Sequence, residues 1–129
     1  MEMRSPLSRV RGLGAAHEGV AHWWAQRLTG VALAGGILVL TYWLTAATYG
    51  ADAYATAMAV IGSWIGHVVL WGLLFSLYYH LANGVRHLMW DAGAGFDLPS
   101  VRRTGVLVIV FAVAMTAATL GCVYFVIGG

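Results

Sequence analysis

The sequence predicts an all-α membrane protein with three transmembrane helices, and three observations carry that expectation. Of its 129 residues 60% are hydrophobic and 9% are charged, with no lysine among the basic residues, whereas a soluble domain carries charge at roughly a quarter of its positions. Three apolar runs, 28–48, 61–90 and 104–127, each exceed the roughly 20 residues that cross a hydrocarbon core of about 30 Å. The arginines gather on alternate sides of these runs. The chain is therefore expected to form a single membrane-anchor domain, 1–129, with no separate polar domain.

The segment 1–27 is polar and basic, carrying Arg4, Arg9, Arg11 and Arg27, and is expected to be cytoplasmic or interfacial. Because it precedes a run too long for a signal-peptide core, the first helix is expected to be retained. Ala32 and Gly36 in that helix, and Ala114 and Ala118 in the third, have the small-x-x-x-small spacing that lets helices approach closely. The linker from Tyr49 to Thr56 carries only Asp52. The linker after the second run contains Asp97, Pro99, Arg102 and Arg103, and the tail from Ile127 is uncharged. The positive-inside rule thus predicts a cytoplasmic N-terminus, an external C-terminus and a multi-pass protein of the cell inner membrane. Trp23, Trp24, Trp43, Trp64, Trp71 and Trp90, with Tyr42, Tyr49 and Tyr54, lie mostly near predicted helix ends, as interfacial anchors do. The single cysteine, Cys122, excludes a disulfide framework within the chain.

Chemistry is concentrated near the end of the second helix. His80, Gly84, His87 and Asp91 fall at i, i+4, i+7 and i+11, offsets of about 40°, −20° and 20° from His80 at 100° per residue, so they form one stripe. Ionisable groups at membrane depth are costly. A face that gathers imidazoles, a bare glycine, a carboxylate and, from the first helix, the Arg27 guanidinium suits a flat metal-containing cofactor with propionates, such as haem b. The plainer alternatives are that Arg27, Arg86 and Asp91 snorkel to headgroups, and that His80 hydrogen-bonds a neighbouring helix. His67 lies about 140° around the helix from His80 and is expected at the outer interface. His17 and His22 are expected to be solvated or at headgroups. No nucleophile elbow, phosphate loop or zinc-type cluster is present, so any chemistry belongs to a bound cofactor or a partner.

These residues carry a family resemblance. The run His80 to Gly93, HLANGVRHLMWDAG, resembles the haem-bearing second helix of the large cytochrome b anchor subunit of succinate dehydrogenase, and Arg27 to Ala32 resembles the H-R-x-T-G-x-A start of that subunit's first helix. Gly62 to Gly66, before the second helix, extends the likeness. The first 27 residues instead resemble the smaller hydrophobic anchor subunit, whose N-terminus reads much like RSPLSRVRGLG (Arg4 to Gly14) and GVAHWWAQR (Gly19 to Arg27). Two positions depart from the large subunit: Trp23 and Gln26 stand where that family places a serine and a histidine of the quinone end. Ala92 stands where the small anchor has a tyrosine.

The resemblance implies that His80 is the axial iron ligand of haem b, that Arg86 and His87 lie near the propionates and the quinone pocket, and that Arg27 serves a quinone oxygen or a haem carboxylate, with Gly84 and Asp91 completing the helix framework. It further implies ubiquinone as second cofactor and, as partners, a second small membrane anchor subunit, an iron-sulfur subunit and a flavoprotein subunit, within the electron transport of the tricarboxylic acid cycle. The second anchor is also a geometric expectation: His87, on the same helix face as His80, cannot reach around a haem to its opposite side. No nucleic acid is expected, and no activity by the chain alone. The rivals are a haem-free transport or scaffold module that uses the stripe as a proton relay, and a fumarate reductase anchor.

Overall fold

The computed structural model describes Gly14 to Gly128, with side chains from Val20 onward. Arg4, Arg9, Arg11 and the side chain of His17 therefore lie outside the described residues. Within them the fold is all-helical, with α1 over Gly14–Tyr49, α2 over Ala51–Ile61, α3 over Trp64–Asp91, α4 over Leu98–Gly121 and a π-helical segment over Cys122–Val126. Three of these stretches, Val20–Tyr49, Trp64–Asp91 and Leu98–Val126, are long and apolar enough to cross a membrane.

The first helix begins well before the expected 28. Nothing in the preceding GAAHEGVAHWWAQR interrupts it, and its alanines favour the helix. It ends at Gly50, whose φ of 116° lies where side-chain-bearing residues are rarely found. Most of the expected linker 49–56 is instead helical: ADAYATAMAVI is alanine-rich, and Asp52 sits in its first turn, where the helix N-terminus favours negative charge. This α2 folds back on α1 and buries Ala57 completely.

The break between α2 and α3 is sharp. Ser63 caps α3 by accepting a 3.2 Å hydrogen bond from the Gly66 amide. A Cβ on Gly66 would lie 2.1 Å from the Ile61 carbonyl oxygen, so only glycine fits there. Asp97 similarly caps α4, accepting from the Ser100 amide at 3.2 Å and from its hydroxyl at 2.9 Å, with Pro99 in the first turn.

Helix α3 is central, packing on α1 and on α4. Gly36 of α1 allows the first contact, since a Cβ there would come within 3.1 Å of Leu73, in keeping with the small-residue reading. Ala114 and Ala118 are exposed, and α4 instead buries Gly105, Val108 and Ala112. The packed side of α3 consists of Ser76, Tyr79, Asn83 and Arg86, while leucine, isoleucine and valine side chains fill the outer surface. That inversion of a soluble core is what a lipid solvent permits, because its tails are as apolar as leucine.

Two outcomes test this description. Gly66→Ala should disrupt the α2–α3 junction, measured as increased protease cleavage between Ile61 and Trp64 and a lower yield of inserted protein. The hydrogen bonds from Ser100 hold the Asp97 carboxyl below its ordinary pKa. A depressed folded-state pKa contributes stability above the ordinary carboxylate range, lost as pH falls through the folded value; amide protection factors at the start of α4, corrected for intrinsic exchange, should fall on acidification, and Asp97→Ala should remove that fall.

Candidate functional site

The polar residues of α3 lie in two stripes about 90° apart. The first, Ser76, Tyr79, Asn83 and Arg86, is buried against α1 and α4. The second is the one singled out from the sequence, His80, Gly84, His87 and Asp91, and only its first two members are shielded: His80 and Gly84 are half-buried, His87 and Asp91 exposed.

His80 lies against α1. Its Nδ1 is 3.0 Å from the Thr29 hydroxyl, which is itself 3.0 Å from the Gln26 carbonyl oxygen. The ring is also close to Gly30, where a Cβ would come within 3.3 Å of His80 Cε1. The plain alternative, an imidazole bonded to a neighbouring helix, thus describes one ring nitrogen. Among the described residues Nε2 makes no hydrogen bond.

Beneath His80 runs a ladder of side chains whose direction is set by its terminal arginine. The Arg86 guanidinium, 4% exposed, donates to Asn83 Oδ1 at 3.3 Å, to the Thr104 hydroxyl at 3.0 Å and to the Val101 carbonyl at 3.0 Å. Arginine can only donate, so Asn83 turns its oxygen toward it and its amide nitrogen toward Gln26 Oε1, at 3.1 Å. Gln26 then presents Nε2 to the His80 carbonyl, at 3.5 Å. The ladder ties α1, α3 and α4 together at the depth of His80.

Arg86 departs from the plainer alternative given for it. It does not snorkel, because α4 supplies acceptors for it, and a six-residue separation turns it about 120° from His80. His22 departs as well: it is a helical residue of α1 whose Nδ1 is hydrogen-bonded to the Tyr79 hydroxyl, with the two rings stacked at 10°. Gly105 makes room for it, since a Cβ there would lie 2.9 Å from His22 Nε2. His67, the expected interfacial histidine, bonds the Ser63 carbonyl and stacks on Tyr124 of the π-helical segment. Arg27 is exposed, its Cζ 3.7 Å from the centre of the Trp23 ring. His87 meets Trp90 edge to face at 5.1 Å.

Tyr79, Asn83 and Thr104 were not singled out from the sequence, and Gln26 and Thr29 entered only through the family resemblance. The available signal was a polar residue recurring in an apolar helix at 76, 79, 83 and 86, the seam spacing of a packed helix. Next to the His80 seat, Leu33, Gly36, Ile37, Leu73, Leu74 and Leu77 line part of an apolar groove of about 500 Å³ between α1 and α3.

The geometry is that of a membrane helix holding one half-buried imidazole beside an apolar groove, and comparison with known proteins identifies the setting. The family model for the succinate dehydrogenase/fumarate reductase transmembrane subunit matches residues 1–119. The chain belongs to that family. It is 40% identical over 100 residues to the succinate dehydrogenase cytochrome b556 subunit of Paracoccus denitrificans, covering 78% of this chain and 76% of that one. The cytochrome b556 subunit of Rickettsia felis is 36% identical over 91 residues, 70% of each chain. The human mitochondrial cytochrome b560 subunit is 34% identical over 90 residues, 68% of this chain and 53% of that protein. The chain is thus a succinate dehydrogenase cytochrome b-type membrane anchor, as the resemblance of His80 to Gly93 implied.

Asn83 is the test of the ladder. It is fully buried, and Asn83→Ala leaves Gln26 Oε1 and one Arg86 donor without their partner. The expected cost is about 1–3 kcal/mol, with the lower end favoured by the weak side-chain hydrogen bonds measured in membranes. Thermal denaturation of the detergent-solubilised complex should register it, and Asn83→Leu should be no better.

Proposed function

We propose that this chain holds haem b and helps form the ubiquinone site of a succinate:quinone oxidoreductase, with His80 supplying one axial nitrogen to the iron. The observation that carries this reading is the state of that imidazole: Nδ1 is engaged by Thr29, and Nε2 makes no hydrogen bond among the described residues. The rest of the seat fits a flat macrocycle. Gly30 keeps a side chain away from the histidine, Gly84 leaves the helix bare one turn after it, and Leu77, one turn before it, lines the apolar groove.

His87, two turns along the same helix face as His80 and exposed, does not reach around to a second side of the site, so a second anchor subunit would supply the further ligand. The exposed apolar faces of the bundle can pack against such a partner. Haem b, when bound, supplies a one-electron carrier near the quinone. Arg27 and His87, exposed at the same end of the helices, would donate to propionate or quinone oxygens, charge-assisted from the guanidinium, while Asp91, also exposed there, is the acidic residue that ends the His80 stripe. Trp23, at the position of the family's serine, stacks on Arg27 and orients it. Arg86 contributes by holding α4 against α3, and Gln26, at the position of the family's histidine, links α1 to that ladder.

The arginine-rich end faces the cytoplasm of a cell bounded by an inner membrane, and there an iron-sulfur subunit and a flavoprotein subunit dock. Succinate oxidation belongs to those partners, and the anchor alone turns over nothing. The family description also includes fumarate reductase, and the same site serves the reverse direction of electron flow.

The experiment is a dithionite-reduced minus oxidised absorbance spectrum of membranes that co-express the chain with its three partner subunits. A b-type alpha band should be present in the wild type and lost in His80→Ala, while Gly84→Leu should diminish it. A band of undiminished size in His80→Ala, with the chain inserted, would sink the proposal.

A further inference from the structure

Resting on the assignment of His80 as iron ligand, we infer that Thr29 is the positioning residue that fixes the tautomer of that histidine. The Thr29 hydroxyl has a single proton and two neighbours, the Gln26 carbonyl oxygen and His80 Nδ1, each at 3.0 Å. A carbonyl oxygen can only accept. The hydroxyl therefore donates to Gln26, in the back-bonding common for threonine inside a helix, and its oxygen accepts Nδ1–H from His80. The alternative puts the proton on Nε2, the nitrogen without a hydrogen bond among the described residues. There it would be an unmatched donor at membrane depth, a costly arrangement. In the first arrangement every proton has an acceptor, and Nε2 carries the lone pair a metal requires.

Two neighbours hold Thr29 to this task. Gly30 lets the imidazole come close enough to α1 to reach the hydroxyl, since a Cβ there would lie 3.3 Å from the ring. Gln26 is fixed from its other end by Asn83, through its side-chain oxygen at 3.1 Å. Thr29 is itself buried, at 8% exposure, so water does not compete for the bond. An acceptor that draws the Nδ1 proton toward itself leaves more electron density on the ring, which makes Nε2 a more basic ligand and stabilises the oxidised iron. Thr29 thereby sets the potential of the haem without touching it.

The test is a redox titration of the alpha band in the assembled four-subunit complex, comparing wild type, Thr29→Ser, Thr29→Val and His80→Ala. The midpoint should shift upward in Thr29→Val, which keeps the shape and removes the acceptor, and should return to the wild-type value in Thr29→Ser, which restores it. Equal midpoints in all three haem-containing forms, or equal shifts in Ser and Val, would overturn the inference while leaving the ligand assignment intact. Retention of the band in His80→Ala would instead overturn the ligand assignment. If Thr29→Val does not assemble, the wild-type complex labelled with isotopic histidine decides the matter. Its reduced minus oxidised infrared spectrum should contain the imidazole mode of a hydrogen-bonded Nδ1–H, and the mode of a free Nδ1–H would refute the assignment.

Discussion

The structure depends on one constraint: in hydrocarbon, a polar side chain has no water to satisfy it and must find its partners inside the protein. Burying leucine from lipid gains little, so the helices are not drawn together by their apolar faces. They are drawn together where their polar groups are. The interior of this bundle is accordingly Thr29, Ser76, Tyr79, Asn83 and Arg86, with a few small residues at the crossings, and its large apolar side chains point outward.

The same constraint places the site. The Arg86 guanidinium gathers acceptors from α3 and α4, Asn83 passes the connection to Gln26 on α1, and Thr29, one turn further along α1, receives His80. The imidazole is thus oriented by groups that also determine which helices touch. A histidine held this way keeps a defined rotamer before any cofactor arrives, which lowers the reorganisation needed on binding.

The spans were legible because a long apolar run admits few other interpretations. The helix α2 was hidden by its composition: eleven residues between glycines, five of them alanine and one an acid, whose first half reads as a linker until α1 covers Ala57. On α3, the stripe of His80, Gly84, His87 and Asp91 could be read from periodicity, and family likeness named its chemistry. Arg86 follows a different rule: neighbouring residues on a helix point about 100° apart, and its acceptors Thr104 and the Val101 carbonyl lie on another helix, a pairing that is not written in the period of either. Ala114 and Ala118 mark the converse, a packing pattern left exposed among the described residues.

A guanidinium that can only donate gives the ladder a head and a tail, and this limits how the sequence can drift. If Asn83 were exchanged for aspartate, Arg86 would gain an ion pair, but Gln26 would have to rotate its amide to offer a donor. Its oxygen would then confront the His80 carbonyl, two acceptors face to face. Substitutions at 26, 83 and 86 are therefore tolerated in concert and penalised singly.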